Sequence, residues 1–315
     1  MRTILLGAVQ STEVALRALA RTGVPPSLLL TLRPELAGRH SDYVELRPIA
    51  DEFGVDVLEV RSAKSDEALQ AVRAADADVL LVVGWSEILP ACLLDTPRYG
   101  SLGYHPAPLP AMRGRAVIPW TVLLEQKQTA GTLFWLAPGL DDGDVAYQMW
   151  FGVEGRETAT SLYAKHMAAL AQMLEHFAAS GGVEQIPRLP QDHAKATYCA
   201  QRKPVDGLID WSQSAQSIER LIRATTDPYP GARALRERGL QEVCIWDADP
   251  VSAAFSAVPG QVVAVDPGGA VVACGSGFLR LCRVTDPGGA TVELRVQDRF
   301  APRAAAYVWW TWYRE

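Results

Sequence analysis

Long apolar runs are missing from this 315-residue sequence: no stretch approaches the roughly 20 consecutive apolar residues that a membrane-crossing helix needs. The N-terminal MRTILLGAV is too short for the apolar centre of a secretory signal and reads as a first strand, so the expected location is the cytoplasm. Cysteine is scarce, with Cys92, Cys199, Cys244, Cys274 and Cys282 making an odd set without any C-x-x-C spacing. Such cysteines read as reduced structural thiols, which argues against a disulfide framework and against a zinc site. Positive charge is short as well. Thirty Lys and Arg face 36 Asp and Glu, a net charge of −6, which disfavours a protein whose main task is gripping a phosphate backbone. Two nucleotide signatures are absent too. The first strand runs into Gly7-Ala8-Val9-Gln10-Ser11 with no G-x-G-x-x-G, and no G-x-x-x-x-G-K-[ST] occurs, so neither a nicotinamide cofactor nor a phosphate-cradling loop is expected.

What is present is an ordinary globular balance, 49% hydrophobic and 21% charged, which buries a full core and excludes disorder and fibrous repeats. The length suits two unequal domains. Over the first 150 residues, strands are predicted at 3–9, 28–31, 57–59 and 79–83, alternating with helices at 12–22, 43–53 and 66–75. Ser11 or Thr12 is the expected cap of the first helix. The polar stretch 33–42 carries Pro34 and Gly38 and reads as a loop. Runs apolar on both faces suit a buried parallel sheet, giving an α/β fold class: a Rossmann-like open sheet with helices on both faces, ligands gathering beyond the strands' carboxyl ends. A long amphipathic helix at 160–179 is ended by Gly181-Gly182. Beyond it come a linker, a helix at 217–224 and a turn at 227–231. Five strands at 242–247, 261–266, 270–273, 278–284 and 291–295 follow, separated by Pro-Gly and Gly-Gly turns, and they predict a small OB-like β-barrel. The expected domains are 1–185, a linker over 186–203, and 204–315.

The chemistry concentrates in 100–148. A strand should end at Tyr104-His105, because Pro106, Pro108 and Pro110 forbid regular structure directly after it. Later, Gly139-Leu140-Asp141-Asp142-Gly143-Asp144 crowds three carboxylates into a glycine-flanked loop expected to return to the same sheet edge. A lone histidine there would mean little. A strand-end histidine beside a carboxylate makes a general acid–base pair, since the carboxylate orients the ring and favours its cation.

These residues carry a resemblance. His105, Leu109-Pro110 and Arg113-Gly114, followed by Gly139 through Asp144, resemble the folate-dependent formyltransferase family. That family includes glycinamide ribonucleotide transformylase, methionyl-tRNA formyltransferase, an amino-sugar nucleotide formyltransferase and the hydrolase domain of 10-formyltetrahydrofolate dehydrogenase. The stretches Arg202 to Trp211, Asp227 to Ala232 and Val271 to Gly275 resemble the family's linker and C-terminal barrel, so the likeness covers nearly the whole chain. It implies 10-formyltetrahydrofolate as co-substrate with no metal, His105 as the proton-transferring group and Asp141 as its carboxylate. The tetrahedral oxyanion formed at the formyl carbon needs a donor, which a protonated His105 would supply. It also implies a pterin pocket lined by Glu87, Ile88 and Leu89, by Ala137, Pro138, Gly139 and Leu140, and by Arg115. Trp85 reads more plainly as core than as ligand, and Asp142 and Asp144 as turn formers with solvated carboxylates.

One position departs from the resemblance. Most family members have Asn two residues before the histidine, supplying an amide donor to the formyl oxygen, where this chain has Gly103. A backbone or water donor in its place, hydrolysis instead of transfer, and weak catalysis are the three readings, with Gly103 and Tyr104 as a candidate acceptor pocket. The acceptor itself is open. Between 204 and 300 there are twelve acidic residues, nine arginines and no lysine, a net charge of −3, which disfavours tRNA. The stretch from Thr226 to Ala232 resembles the amino-sugar enzyme, so a small amine, foremost a nucleotide-linked amino sugar, leads over carrier-bound aminoacyl groups, methionyl-tRNA, hydrolysis and a catalytically silent folate-binding protein. The aromatic tail 307–313 is expected to pack onto the barrel or across the interface of a homodimer, with a stacking platform as the sharper alternative. Arg33, Arg39 and His40 read as a solvated loop rather than as a grip on an acceptor phosphate.

Overall fold

A computed structural model describes residues 1–39 and 41–312. The chain divides into two units. The first holds Met1–Val117, Lys127–Val153 and Tyr163–Ala200; the second holds Ile118–Gln126, Glu154–Leu162 and everything from Gln201 onward.

The first unit is built on β1 (Thr3–Leu6), α1 (Gln10–Arg21), β2 (Leu28–Leu32), α2 (Arg47–Glu52), β3 (Asp56–Val60), α3 (Asp66–Ala74), β4 (Val79–Val82), α4 (Ala91–Leu94) and β5 (Ser101–His105). A two-residue strand β6 (Arg113–Gly114) follows, then β7 (Gln128–Trp135), β8 (Val145–Gly152), the greater part of α6 (Ala159–Ala178) and the short β9 (Tyr198–Cys199), while α5 (Val117–Leu123), between β6 and β7, falls to the second unit from Ile118 onward. Seven strands form one sheet in the order β3-β2-β1-β4-β5-β7-β8, parallel through β5 and antiparallel at β7 and β8. Strand alternation sorts the apolar residues onto two faces. Leu5, Leu29, Leu81, Leu102 and Leu133 pack against α1 and α6, while Ile4, Leu6, Leu30 and Leu80 pack against α3 and α4. Helices therefore cover both faces, as a parallel-dominated sheet requires.

The details differ from expectation where tertiary contacts outweigh local signals. Thr12, expected near the cap of α1, sits inside its first turn: its Oγ1 accepts from Val9 N–H at 3.2 Å and donates to Val83 O at 2.7 Å. That second bond ties α1 to the chain leaving β4. Residues 186–200, expected as linker, lie in the first unit. Ile186 is buried in its core, Leu189 bridges Val145, and β9 pairs with β6. Conversely, 118–126 and 154–162 belong to the second unit through polar contacts: Arg220 pairs with Glu125 at 2.9 Å, and Arg223 donates to Glu157 O at 2.6 Å.

The second unit contains α7 (Ala215–Thr225), β10 (Ala232–Arg236), β11 (Gln241–Val251), β12 (Val262–Asp266), β13 (Gly269–Ala273), β14 (Phe278–Thr285) and α8 (Arg303–Trp312). Its five-stranded antiparallel sheet runs β10-β11-β14-β13-β12. Arg236 bridges Phe300 and Gln261 bridges Arg299, so one short segment touches both sheet edges. The strand expected at 291–295 does not form; Thr291 makes only an isolated bridge to Thr285. The fifth strand is β10, whose Ala-Arg-Ala-Leu-Arg sequence hides it because a buried Arg233–Glu242 ion pair with β11 replaces apolar burial. In α8, Trp309 and Trp310 pack against Leu208, Leu235, Ala301 and Ala306, with Arg233 4.9 Å from the Trp310 ring centroid. Tyr313 lies outside the described residues, as does His40. Among the described residues no helix is long and apolar enough to cross a membrane.

Candidate active site

β5 ends at His105, opposite Thr132 of β7. The proline-rich loop that follows is stitched to the neighbouring strands. Thr132 Oγ1 donates to Ala107 O at 2.6 Å and Gln148 Nε2 donates to Leu109 O at 2.9 Å. His105 is 6% exposed. Its Nε2 lies 2.8 Å from Met112 O, and since a carbonyl only accepts, Nε2 carries a proton. Its Nδ1 faces Asp141 Oδ2 at 3.7 Å, within ion-pair range and longer than a hydrogen bond. The cationic ring is the form that donates towards both partners. Asp141 Oδ2 also accepts Gly114 N–H at 2.8 Å. Gly114 has φ +105°, and a Cβ there would stand 2.4 Å from Cys199 O, so glycine is what lets this N–H aim at the carboxylate.

The route of the acidic loop differs from expectation. β7 runs antiparallel to β5, and Leu136 N–H donates to Ser101 O at 2.8 Å, so the loop starts at the amino end of β5. It then doubles back along that strand to bring Asp141 to His105. Gly103 makes room for it: a Cβ there would meet Leu136 Cδ2 at 2.7 Å and the Phe134 ring at 3.3 Å. The space a side chain would occupy at Gly103 is filled by Leu136, at the start of the loop, and by Phe134 of β7. Tyr104, expected beside it, points to the other face of β5. Its hydroxyl contacts His166 Nδ1 at 3.0 Å and His166 O at 3.1 Å, within the core against α6, and burial pushes its pKa up. His166 is itself fully buried, and its Nε2 has no hydrogen-bond partner among the described residues. Burial, aided by the nearby His105 charge, lowers its pKa to about 3.

The expected pterin-loop residues are drawn together in part. Arg115 is exposed and donates from Nη2 to Ser86 O at 2.8 Å, which ties the β6 segment to the loop after β4. Gly114, next to it, holds Asp141, so three loops are linked. Glu87 turns elsewhere: its Oε2 accepts from Ser62 Oγ at 2.8 Å and Ala63 N–H at 3.2 Å. Ile88 is 76% and Leu140 52% exposed, Pro138 and Gly139 are exposed, Ala137 is half-buried, and Leu89 and Trp85 pack on the α3 side of the sheet. Asp142 is not the solvated turn former expected. Its carboxylate folds over Gly139, and one of its oxygens is buried with no hydrogen-bond partner among the described residues. Asp144 accepts through its main-chain carbonyl from Trp135 N–H at 2.8 Å, continuing the β7–β8 pairing. Arg33, half-buried, pairs with Glu67 at 3.8 Å rather than reaching outward.

Sequence reasoning missed Gln191. It comes from the stretch read as linker, where Pro187 and Pro190 and the lack of periodicity left no signal, yet its Nε2 donates to Asp141 O at 2.9 Å and Gly143 O at 2.6 Å.

Two formyl transferase models match the chain: "Formyl transferase" over residues 16–176 and "Formyl transferase, C-terminal domain" over 202–297. With a strand-end histidine, its carboxylate and both matches in place, the chain belongs to the formyl transferase family and is a formyl-transferring enzyme. It is 30% identical over 291 residues to a methionyl-tRNA formyltransferase of Acidithiobacillus ferrooxidans, covering 91% of each chain. Among solved structures it resembles HypX from Aquifex aeolicus in complex with tetrahydrofolic acid, with TM-score 0.61 and 16% identity over 98% of this chain and 47% of that one. The chain thus spans about half the length of that protein. It also resembles an N-formyltransferase from Helicobacter canadensis in complex with folinic acid and dTDP-3-aminofucose, with TM-score 0.60 and 11% identity over 90% and 99% of the two chains. At these identities the solved structures speak for the fold.

Proposed function

We propose that this enzyme moves the formyl group of 10-formyltetrahydrofolate to the amino group of a nucleotide-linked amino sugar, with no call for a metal. The observation that carries the reaction is the His105–Asp141 pair beside the end of β5. When bound, a formylated folate supplies the activated formyl carbon. The loops fit such a group, because exposed Ile88 and Leu140 offer apolar surface that a flat ring would cover, at about 25 cal/mol per Å². The chain's own work is proton handling. His105, with its Nε2–H held by the Met112 carbonyl, has its Nδ1–H, 3.7 Å from Asp141, to donate to charge developing on the formyl oxygen. It then gives a proton to the departing folate nitrogen and, neutral, takes one back from the amine that has added, while Asp141 holds the ring in orientation. Gly103 offers no amide for that oxygen, which leaves the imidazolium as the principal donor.

The acidic second unit, at −3 between 204 and 300 with no lysine, supports a small acceptor over a polyanion. Identity of 30% to methionyl-tRNA formyltransferase over nine-tenths of both chains favours the second reading, an aminoacyl-tRNA acceptor. Tetrahydrofolate release, followed with no amine, with a nucleotide-linked amino sugar and with methionyl-tRNA, separates them. Release that requires the amino sugar is the expected result. Release only with methionyl-tRNA overturns the acceptor and keeps the transfer. Release with no amine makes the enzyme a hydrolase, and folate binding with no release under any condition overturns catalysis.

A further inference from the structure

We propose that Gln191 is a positioning residue for formyl transfer: it locks the backbone of the acidic loop so that Asp141 stays turned towards His105. The inference rests on the reading of His105 and Asp141 as the acid–base pair.

Gln191 is buried, and its side-chain amide is engaged on every side. Its Oε1 accepts from Arg113 Nη2 at 2.6 Å and Nε at 3.2 Å. A guanidinium only donates, so this fork fixes which end of the amide is oxygen and forces the NH₂ group towards the loop. There the two N–H bonds reach the carbonyls of Asp141 and Gly143, at 2.9 and 2.6 Å, bridging across Asp142. The clamp lies where the backbone most needs one. Asp141 has φ +49°, in the left-handed region that side chains other than glycine seldom adopt. Arg113 is buried too, with Gln191, His193 and Tyr198 around its guanidinium: Nη2 is 3.2 Å from His193 Nδ1 and Nη1 3.5 Å from Tyr198 Oη. The next residue, Gly114, holds the Asp141 carboxylate through its N–H. Asp141 is therefore gripped twice from one short strand, at the carboxylate through Gly114 and at the main chain through Arg113 and Gln191. Rotating the loop to take Asp141 away from His105 would strip two carbonyls and the buried Gln191 NH₂ group of their partners at once.

The test uses Gln191→Met, which keeps the volume and removes both donors, and Gln191→Glu, which keeps the acceptor for Arg113 and removes the donors. Each should lower kcat about tenfold or more, with the amine KM changed by less than about threefold. Gln191→Met added to Asp141→Asn should cost no more than Asp141→Asn alone, because both act through one group. In the resting protein, the His105 ring resonances, assigned by their loss in His105→Ala, should move in Gln191→Met towards their positions in Asp141→Asn. Full kcat with unmoved His105 resonances in either folded Gln191 variant overturns the proposal, as does a full additional loss on the Asp141→Asn background. If Gln191→Met does not fold, Gln191→Glu carries the same measurements. Should Asp141→Asn keep full turnover, the acid–base reading falls; the His105 resonances then still decide whether Gln191 positions Asp141 against that ring.

Discussion

The two sides of β5 put adjacent residues to different uses. On one side, His105 has a carbonyl on Nε2 and a carboxylate facing Nδ1, partners suited to an imidazole that gains and loses a proton. On the other, Tyr104 reaches into the core and meets His166, a fully buried ring with one nitrogen unpartnered among the described residues and a pKa lowered to about 3. Burial alone does not make a histidine reactive. A buried ring becomes useful when the groups around it stabilise its charged form, and inert when nothing replaces the water it lost.

The largest expected effect separates the two rings. His105→Ala should lower kcat by about 10² or more with folate binding retained, whereas His166→Gln should stay within about fivefold of the parent. Steady-state kinetics on both variants would erase the contrast if the losses came out equal or reversed. Next comes the carboxylate. Asp141→Asn should approach the His105→Ala loss, while Asp142→Asn, whose carboxylate folds away over Gly139, should remain within about fivefold. Equal losses would mean that the acid has been assigned to the wrong aspartate.

Gly103→Asn tests how the loop is carried on the His105 side. The new side chain must displace Leu136 and Phe134, so about 1–3 kcal/mol of stability should be lost in urea unfolding, and Leu136→Ala should recover part of it. A stable Gly103→Asn with faster transfer would instead show an open space where an amide donor belongs.

The smallest effect belongs to the His166 side and depends on pH. With its pKa lowered to about 3 in the fold and near its ordinary value of 6.5 when unfolded, His166 binds fewer protons folded than unfolded between those values. Stability is therefore complete above about 6.5 and falls by about 1.4 kcal/mol per pH unit as the pH drops through that window. The unfolding free energy of His166→Gln should fall less steeply than that of the parent between pH 6.5 and 5. Parallel curves would place a partner on the His166 ring.

Much of the fold was legible because it follows from local rules. Apolar runs at 28–31 and 79–83, helix-spaced residues between them and prolines after His105 act within a few residues of themselves. What escaped reading depends on partners distant in sequence. β10 is concealed by Ala232-Arg233-Ala234, because its arginine is neutralised by Glu242 on the next strand. Gln191 gives no local sign, since its meaning lies in two carbonyls some fifty residues earlier and a guanidinium at 113.

By itself the sequence determined the parallel sheet, the strand that ends at His105, and the motif pair that names the family. It did so because hydrophobic period, proline geometry and motif spacing are properties of the chain alone. The tertiary structure decided that the acidic loop doubles back over Gly103, that Tyr104 belongs to the core, that one oxygen of Asp142 is buried and that Gln191 closes the circuit around Asp141. Those outcomes depend on which groups compete for the same space and the same hydrogen bonds, and that competition exists only once the chain has folded.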